Sequence, residues 1–175
     1  MNYNFRKAIY SDLDQILNIV KDAKAYLKES GSNQWNGPNG YPNLSDFKLD
    51  IDNGNLYVLT DLDKVIGFEA LIIGNDKSYQ KIDGNWLTNS TNYMSIHRIA
   101  ISKEYRGKNI SKYLIQNAIN LAKILNIDAL RGDTHQLNVP MQKLFLSQNF
   151  KHCGTIELVD TKFDNLRLAF EYKIE

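Results

Sequence analysis

The sequence predicts an α/β domain built on one mixed β-sheet of about six to seven strands, with about four helices packed against it. Three observations carry this. Apolar residues recur at spacings of three and four over 13–27 and again over 110–125, the pattern of helices with one buried face. Short runs rich in β-branched and aromatic residues, 56–60, 65–73 and 94–101, punctuate those helices. The stretch 93–134 reads strand, turn, helix, strand, a crossover that sets two strands parallel with a right-handed connection. At 175 residues the chain is most simply one domain, 1–175.

The elements follow in order. Asn4–Ala8 is a short first strand. Ser11 or Asp12 caps a helix whose inner face is Leu13, Ile16, Leu17, Val20, Ala23 and Leu27, with Gly31 ending it. The segment 31–42 is too dense in glycine and proline for a regular element. Its aromatics, Trp35 and Tyr41, either pin the loop to the core or wall a binding site. Ser45 caps a second helix with Phe47, Leu49 and Ile51 inward. Leu56–Thr60 and Val65–Ile73 form a hairpin through the turn 61–64, and Gly67 marks a bulge or a close approach. The polar segment 75–92 is an extension of that hairpin pair, a substrate-side loop or a contact between copies. After the central strand, turn and helix come a strand over Ala129–Thr134, low in apolar content and ending at the surface of the site, and a helix over Val139–Ser147 with Pro140 in its first turn. A last hairpin closes the chain, and its alternating Leu166, Leu168, Phe170, Tyr172 and Ile174 face inward.

Composition excludes several classes. The 21 basic residues balance 20 acidic ones, so the chain lacks the basic excess of a nucleic-acid or membrane-surface binder. A single cysteine makes an internal disulfide framework impossible and suits a reducing compartment. The opening MNYNFRKAIYSDLDQ has no apolar leader core, and no apolar run approaches the ~20 residues of a membrane span. The expected location is the cytoplasm. No metal-ligand pattern is present, so none is expected to bind.

The most informative stretch is Tyr93–Ser111. A strand ends in Ile99-Ala100-Ile101, a basic turn follows, and a helix begins near Asn109. The first N–H groups of a helix have no partner within it, and the helix dipole is positive there. With Arg106 and Lys108 beside it, this start suits a phosphorylated ligand.

Arg106-Gly107-Lys108-Asn109-Ile110-Ser111 resembles the acyl-CoA-binding motif of the GNAT superfamily of N-acetyltransferases, with Asn109 and Ser111 in place of two small residues. Asn tolerates the left-handed backbone and Ser is small. The resemblance is densest over 94–154, where 133–145 and 149–154 look like a bacterial subgroup. It implies a GNAT-like sheet whose central parallel strands splay apart. It implies acetyl-CoA as donor, with Arg106–Ser111 on its pyrophosphate and the backbone of Ile99, Ala100 and Ile101 on its pantetheine arm; Asn138 matches the Asn that also contacts that arm. It implies direct attack by a primary amine, belonging to a small molecule or to a peptide, and it is compatible with a homodimer.

The base is less defined. Asp133 lies where some members place a carboxylate, and Ser95 stands where others carry a glutamate. His135 on the following loop and His97 on the central strand are the other candidates, since imidazole exchanges protons near neutral pH. Tyr93, Trp35 and Tyr41 are candidate acceptor contacts. Phe145 replaces the tyrosine that usually protonates the leaving thiolate. This leaves a second class open, an acyl-CoA-binding module with little or no transferase activity. Cys153 reads as a small buried residue of a strand.

Overall fold

The elements, in a computed structural model describing residues 3–36, 40–161 and 164–175, are β1 (Asn4–Lys7), α1 (Leu13–Glu29), α2 (Leu44–Asp52), β2 (Leu56–Asp61), β3 (Lys64–Ile73), β4 (Ile82–Gly84), β5 (Tyr93–Ile101), α3 (Ile110–Ile124), β6 (Ala129–Thr134), α4 (Val139–Ser147), β7 (Lys151–Glu157) and β8 (Leu166–Lys173). The strands form one mixed sheet in the order β1-β2-β3-β5-β6-β8-β7-β4. Its eight strands exceed the expected number because 82–84 pairs antiparallel with β7 instead of extending the β2–β3 hairpin. Only β5 and β6 run parallel among the pairings described, from Tyr93↔Ala129 to Ile96↔Gly132. The chain divides into two compact units, Met1–Leu71 with Arg98–Asn117, and Ile72–His97 with Ala118–Glu175.

In the first unit, Leu13, Ile16, Ile19 and Val20 of α1 and Phe47 of α2 bury against Val58, Val65, Phe68 and Ala70 of the sheet. On the other face Leu59 and Ile66 meet Ile110 and Leu114 of α3. The helix starts differ from expectation. Asn43, not Ser45, caps α2: its side chain accepts from the Ser45 N–H at 2.9 Å, and Asp46 returns a bond to the Asn43 N–H at 2.7 Å. Asp12 precedes α1 without capping it, because Arg6 takes both its carboxylate oxygens at 2.7 and 2.9 Å. Leu49, expected inward, is exposed, since α2 is only nine residues long and one stripe of it meets the core. Opposite Gly67 the β2–β3 register shifts between Leu59 and Thr60. A Cβ at Gly67 would stand 3.1 Å from Leu114 and 3.2 Å from the Ala100 carbonyl oxygen, so close approach explains this glycine. Trp35 packs against the α1–sheet core, the pinning role; residues 37–39 of the same loop lie outside the described residues.

The second unit departs more from simple alternation. The β6 strand, despite its low apolar content, is buried nearly along its length. In β8, Arg167 and Glu171 are buried while Leu166 is exposed. Both faces of these strands are covered, and charges are buried in pairs. The Arg131 guanidinium lies 4.0 Å from the Tyr93 ring centre and 4.3 Å from that of Trp86, and its Nε donates to Glu171 at 2.8 Å. Glu171 also accepts from the N–H groups of Leu87 and Thr88. That pair therefore anchors the later half of 75–92. Cys153 is buried, and burial pushes its thiol up.

Candidate active site

In the first unit the site side is built by the end of β5 and the start of α3. Gly107 and Asn109 carry φ of 77° and 60°, a left-handed backbone that these two residue types tolerate. The turn that results leaves the N–H groups of Gly107, Asn109, Ile110 and Ser111 without an acceptor among the described residues. Arg106 and Lys108 are exposed beside them. Their charges are held over aromatic rings, Arg106 at 4.6 Å from the centre of Tyr26 and Lys108 at 4.6 Å from that of Tyr105. Upstream, Ile99 and Ile101 put their side chains into the α3-side core, which turns their strand into a rail of backbone groups. Arg98 interrupts that strand with φ of 50°. Its guanidinium forks onto Asp50 at 2.6 and 2.7 Å and donates to the Tyr41 hydroxyl at 2.8 Å. Tyr41 is thereby oriented while remaining partly exposed.

In the second unit a group of titratable side chains converges. His97 Nε2 lies 3.0 Å from Asp76 Oδ2. The Tyr79 ring stacks on His97 with centres 6.0 Å apart, and its hydroxyl donates to Asp133 Oδ1 at 2.8 Å. Burial pushes the Asp133 carboxyl up, against the opposing pull of His97, Tyr79 and Arg167. Burial pushes the Tyr79 phenol well up, and the nearby Asp133 adds to it, so this hydroxyl is a poor proton donor to anything else. His135, expected on an exposed loop, is buried, and both ring nitrogens are engaged: Nδ1 accepts from the Leu137 N–H at 3.1 Å and Nε2 meets Asp164 Oδ1 at 2.8 Å. Tyr93 is 2% exposed, and its hydroxyl accepts from the Asp76 N–H at 2.9 Å. Asn138 caps α4 by accepting from the Met141 N–H at 3.3 Å. Phe145 is fully buried against Phe150 and Phe170.

Sequence reasoning found His97 and Asp133 but missed Asp76, Tyr79 and Asp50. Asp76 was readable in part: an Asp two residues before a Ser favours the turn in which its Oδ1 accepts the Ser78 N–H, here at 2.8 Å. The other two meet their partners 48 and 54 residues away, and no local pattern announces them. Among the described residues no group of three or more His, Cys, Asp or Glu side chains is arranged to hold a metal ion, and no helix is long and apolar enough to cross a membrane.

A family model described as the acetyltransferase (GNAT) family matches residues 18–150. A GNAT-family acetyltransferase from Streptococcus agalactiae 2603, known from its crystal structure, is 32% identical; the match covers 99% of this chain and 95% of that one, with a TM-score of 0.88. An N-acetyltransferase from Staphylococcus aureus Mu50 is 26% identical, covers all of both chains and superposes with a TM-score of 0.70. The Bacillus subtilis (strain 168) protein named Uncharacterized N-acetyltransferase YesJ is 22% identical over 109 residues, which make up 62% of this chain and 59% of that protein.

Proposed function

The chain belongs to the GNAT acetyltransferase family, and on that premise we propose that it is an N-acetyltransferase moving the acetyl group of acetyl-CoA to a primary amine by direct attack. The reading takes 1–175 as a single catalytic domain working in the cytoplasm, where the donor is available. The observation that carries it is the opening of α3. Four N–H groups without acceptors among the described residues, beside Arg106 and Lys108, form the surroundings a pyrophosphate needs. By the family's pattern the backbone of Ile99, Ala100 and Ile101 pairs with the pantetheine arm, and Asn138 contacts it. A main-chain N–H of the strand polarises the thioester carbonyl.

We assign the base to His97, two residues before Ile99 on the same strand and partly open to solvent. It removes a proton from the acceptor ammonium. The neutral amine attacks, a C–N bond forms, the C–S bond breaks, and the departing thiolate takes the proton that the new amide nitrogen sheds. Asp133 holds the acceptor's ammonium form beside His97, and His135 braces the loop before α4. Tyr41 walls the acceptor side, Trp35 pins its loop to the core and Tyr93 supports Asp76. The acceptor is a small-molecule or peptide amine, and the reaction as written uses no metal.

A second reading, an acyl-CoA-binding module without transfer, is favoured by one observation: Phe145 is buried and has no hydroxyl. Calorimetric titration with acetyl-CoA, followed by an amine panel scored for CoA release, separates the two. The transferase reading expects micromolar binding, weakened about tenfold or more in Arg106→Ala by loss of a charge-assisted bond, and CoA release with at least one amine. Binding without release across the panel favours the module, and absence of binding refutes both.

A further inference from the structure

His97 is held on two sides. Along its edge, Nε2 meets Asp76 Oδ2 at 3.0 Å. Across its face lies the Tyr79 ring, inclined by 28°. Asp76 is itself fixed three times over. Its N–H donates to the Tyr93 hydroxyl at 2.9 Å, its Oδ1 accepts the Ser78 N–H at 2.8 Å, and its Oδ2 is left for the imidazole. The short helical turn that Asp76 opens, Lys77–Tyr79, delivers Tyr79 onto the ring. Burial pushes the Asp76 carboxyl up, but the bonds from His97 and Ser78 outweigh it and hold the group below the usual carboxylate range. The groups facing His97 are thus Asp76, Tyr79 and Asp133, with Arg167 behind Asp133.

A carboxylate can only accept, so at this distance the bond runs from Nε2–H to Asp76. We propose that Asp76 is the positioning residue of His97: it fixes the neutral imidazole with its proton on Nε2 and leaves the Nδ1 lone pair to receive the proton of the acceptor amine. The inference rests on His97 being the base of the acetyltransferase. When Nδ1 takes a proton from the ammonium, the imidazolium formed stands against a carboxylate already in place, and no reorganisation is needed at that moment. After CoA leaves, the imidazolium returns its proton to solvent and the cycle balances. Among the described residues nothing accepts from or donates to Nδ1, which is the nitrogen such a role requires to be open.

The competing role for Asp76 is to cap the turn and nothing more. Two variants divide the roles, because Asn and Ser both cap well and neither carries the carboxylate. Asp76→Asn and Asp76→Ser are compared with the wild-type chain by long-range nitrogen–proton correlation spectra of the imidazoles. The chain has three histidines, and His97 is assigned by its loss in His97→Gln. The proposal expects Nε2 protonated and Nδ1 bare in neutral wild-type His97, that pattern lost in both variants, and kcat about a hundredfold or more lower with KM for acetyl-CoA changed less than about threefold. Wild-type His97 protonated on Nδ1 overturns it. So do variants that keep both the spectrum and kcat. The spectra need no substrate, so a chain that acetylates nothing yet shows the expected tautomer refutes the assignment of His97 as base while leaving the Asp76 contact intact.

Discussion

Replacing Glu69 by Gln should flatten the dependence of stability on pH. Glu69 stands on β3 opposite Tyr57, is 0% exposed, and neither carboxyl oxygen has a hydrogen-bond partner among the described residues. Burial pushes it from its ordinary 4.5 up to about 8. Between those values the folded protein holds a proton that the unfolded chain gives up, so stability falls as pH rises through that window. Below it both states are protonated and the group contributes nothing. The slope is about 1.4 kcal/mol per pH unit, and the span from 4.5 to about 8 sums to about 5 kcal/mol. Gln carries no titrating proton. Its own burial cost is the same at every pH. Urea unfolding of wild type and Glu69→Gln at about pH 5, 6, 7 and 8 gives the difference directly. The expected result is a difference that grows in favour of Glu69→Gln by about 1.4 kcal/mol per unit between about pH 5 and 7 and levels off toward about pH 8. A difference constant across that range would refute the reasoning and imply that the carboxyl finds a partner or reaches water.

Three further outcomes are expected. Asp50→Ala removes the carboxylate from the mostly covered Arg98 guanidinium, which keeps its bond to the Tyr41 hydroxyl, and should cost about 3 kcal/mol, read as a shift in urea midpoint, with Arg98→Met/Asp50→Leu recovering most of it. Gly132→Ala would set a Cβ 2.4 Å from the Phe145 ring; that ring has no room to retreat, so a loss of about 1–3 kcal/mol is expected by thermal or chemical melting. Asn43→Ala removes the side chain that accepts from the Ser45 N–H, while the backbone N–H of residue 43 keeps its bond to Asp46; it should cost about 1 kcal/mol, whereas Asn43→Ser should be nearly silent in the same assay.

The two long helices were legible because each buries one stripe, and 3.6-residue periodicity reports that directly. The strands β2, β3 and β5 were legible for a similar reason, being apolar runs bounded by turns, whereas β4 was not. The α3 start could be read because its chemistry is local: a basic turn, a glycine and a tolerant Asn within four residues. What escaped is nonlocal. Periodicity placed Leu166 inside and left Glu171 unremarked, since alternation marks one face of a strand and here the polar face, with Arg167 and Glu171, is buried too. The His97 cluster draws on Asp76 and Tyr79 from a polar stretch without period, and they acquire meaning only once β5 and β6 are paired. His135 lies on a loop in sequence but inside in space, because Asp164 reaches it from 29 residues away.

Arg131 and Glu171 are direct partners across the β6–β8 ladder. Because successive side chains on a strand point to opposite faces, sliding β8 by one residue would swing Glu171 to the far side of the sheet. Arg131 would then be left between two aromatic rings with no carboxylate, and Glu171 would lose its guanidinium. A wrong alignment would thus bury two unmatched charges at several kcal/mol each. The pair acts as a key that fits one setting only, and it rejects misaligned sheets during folding more than it adds to the stability of the correct one.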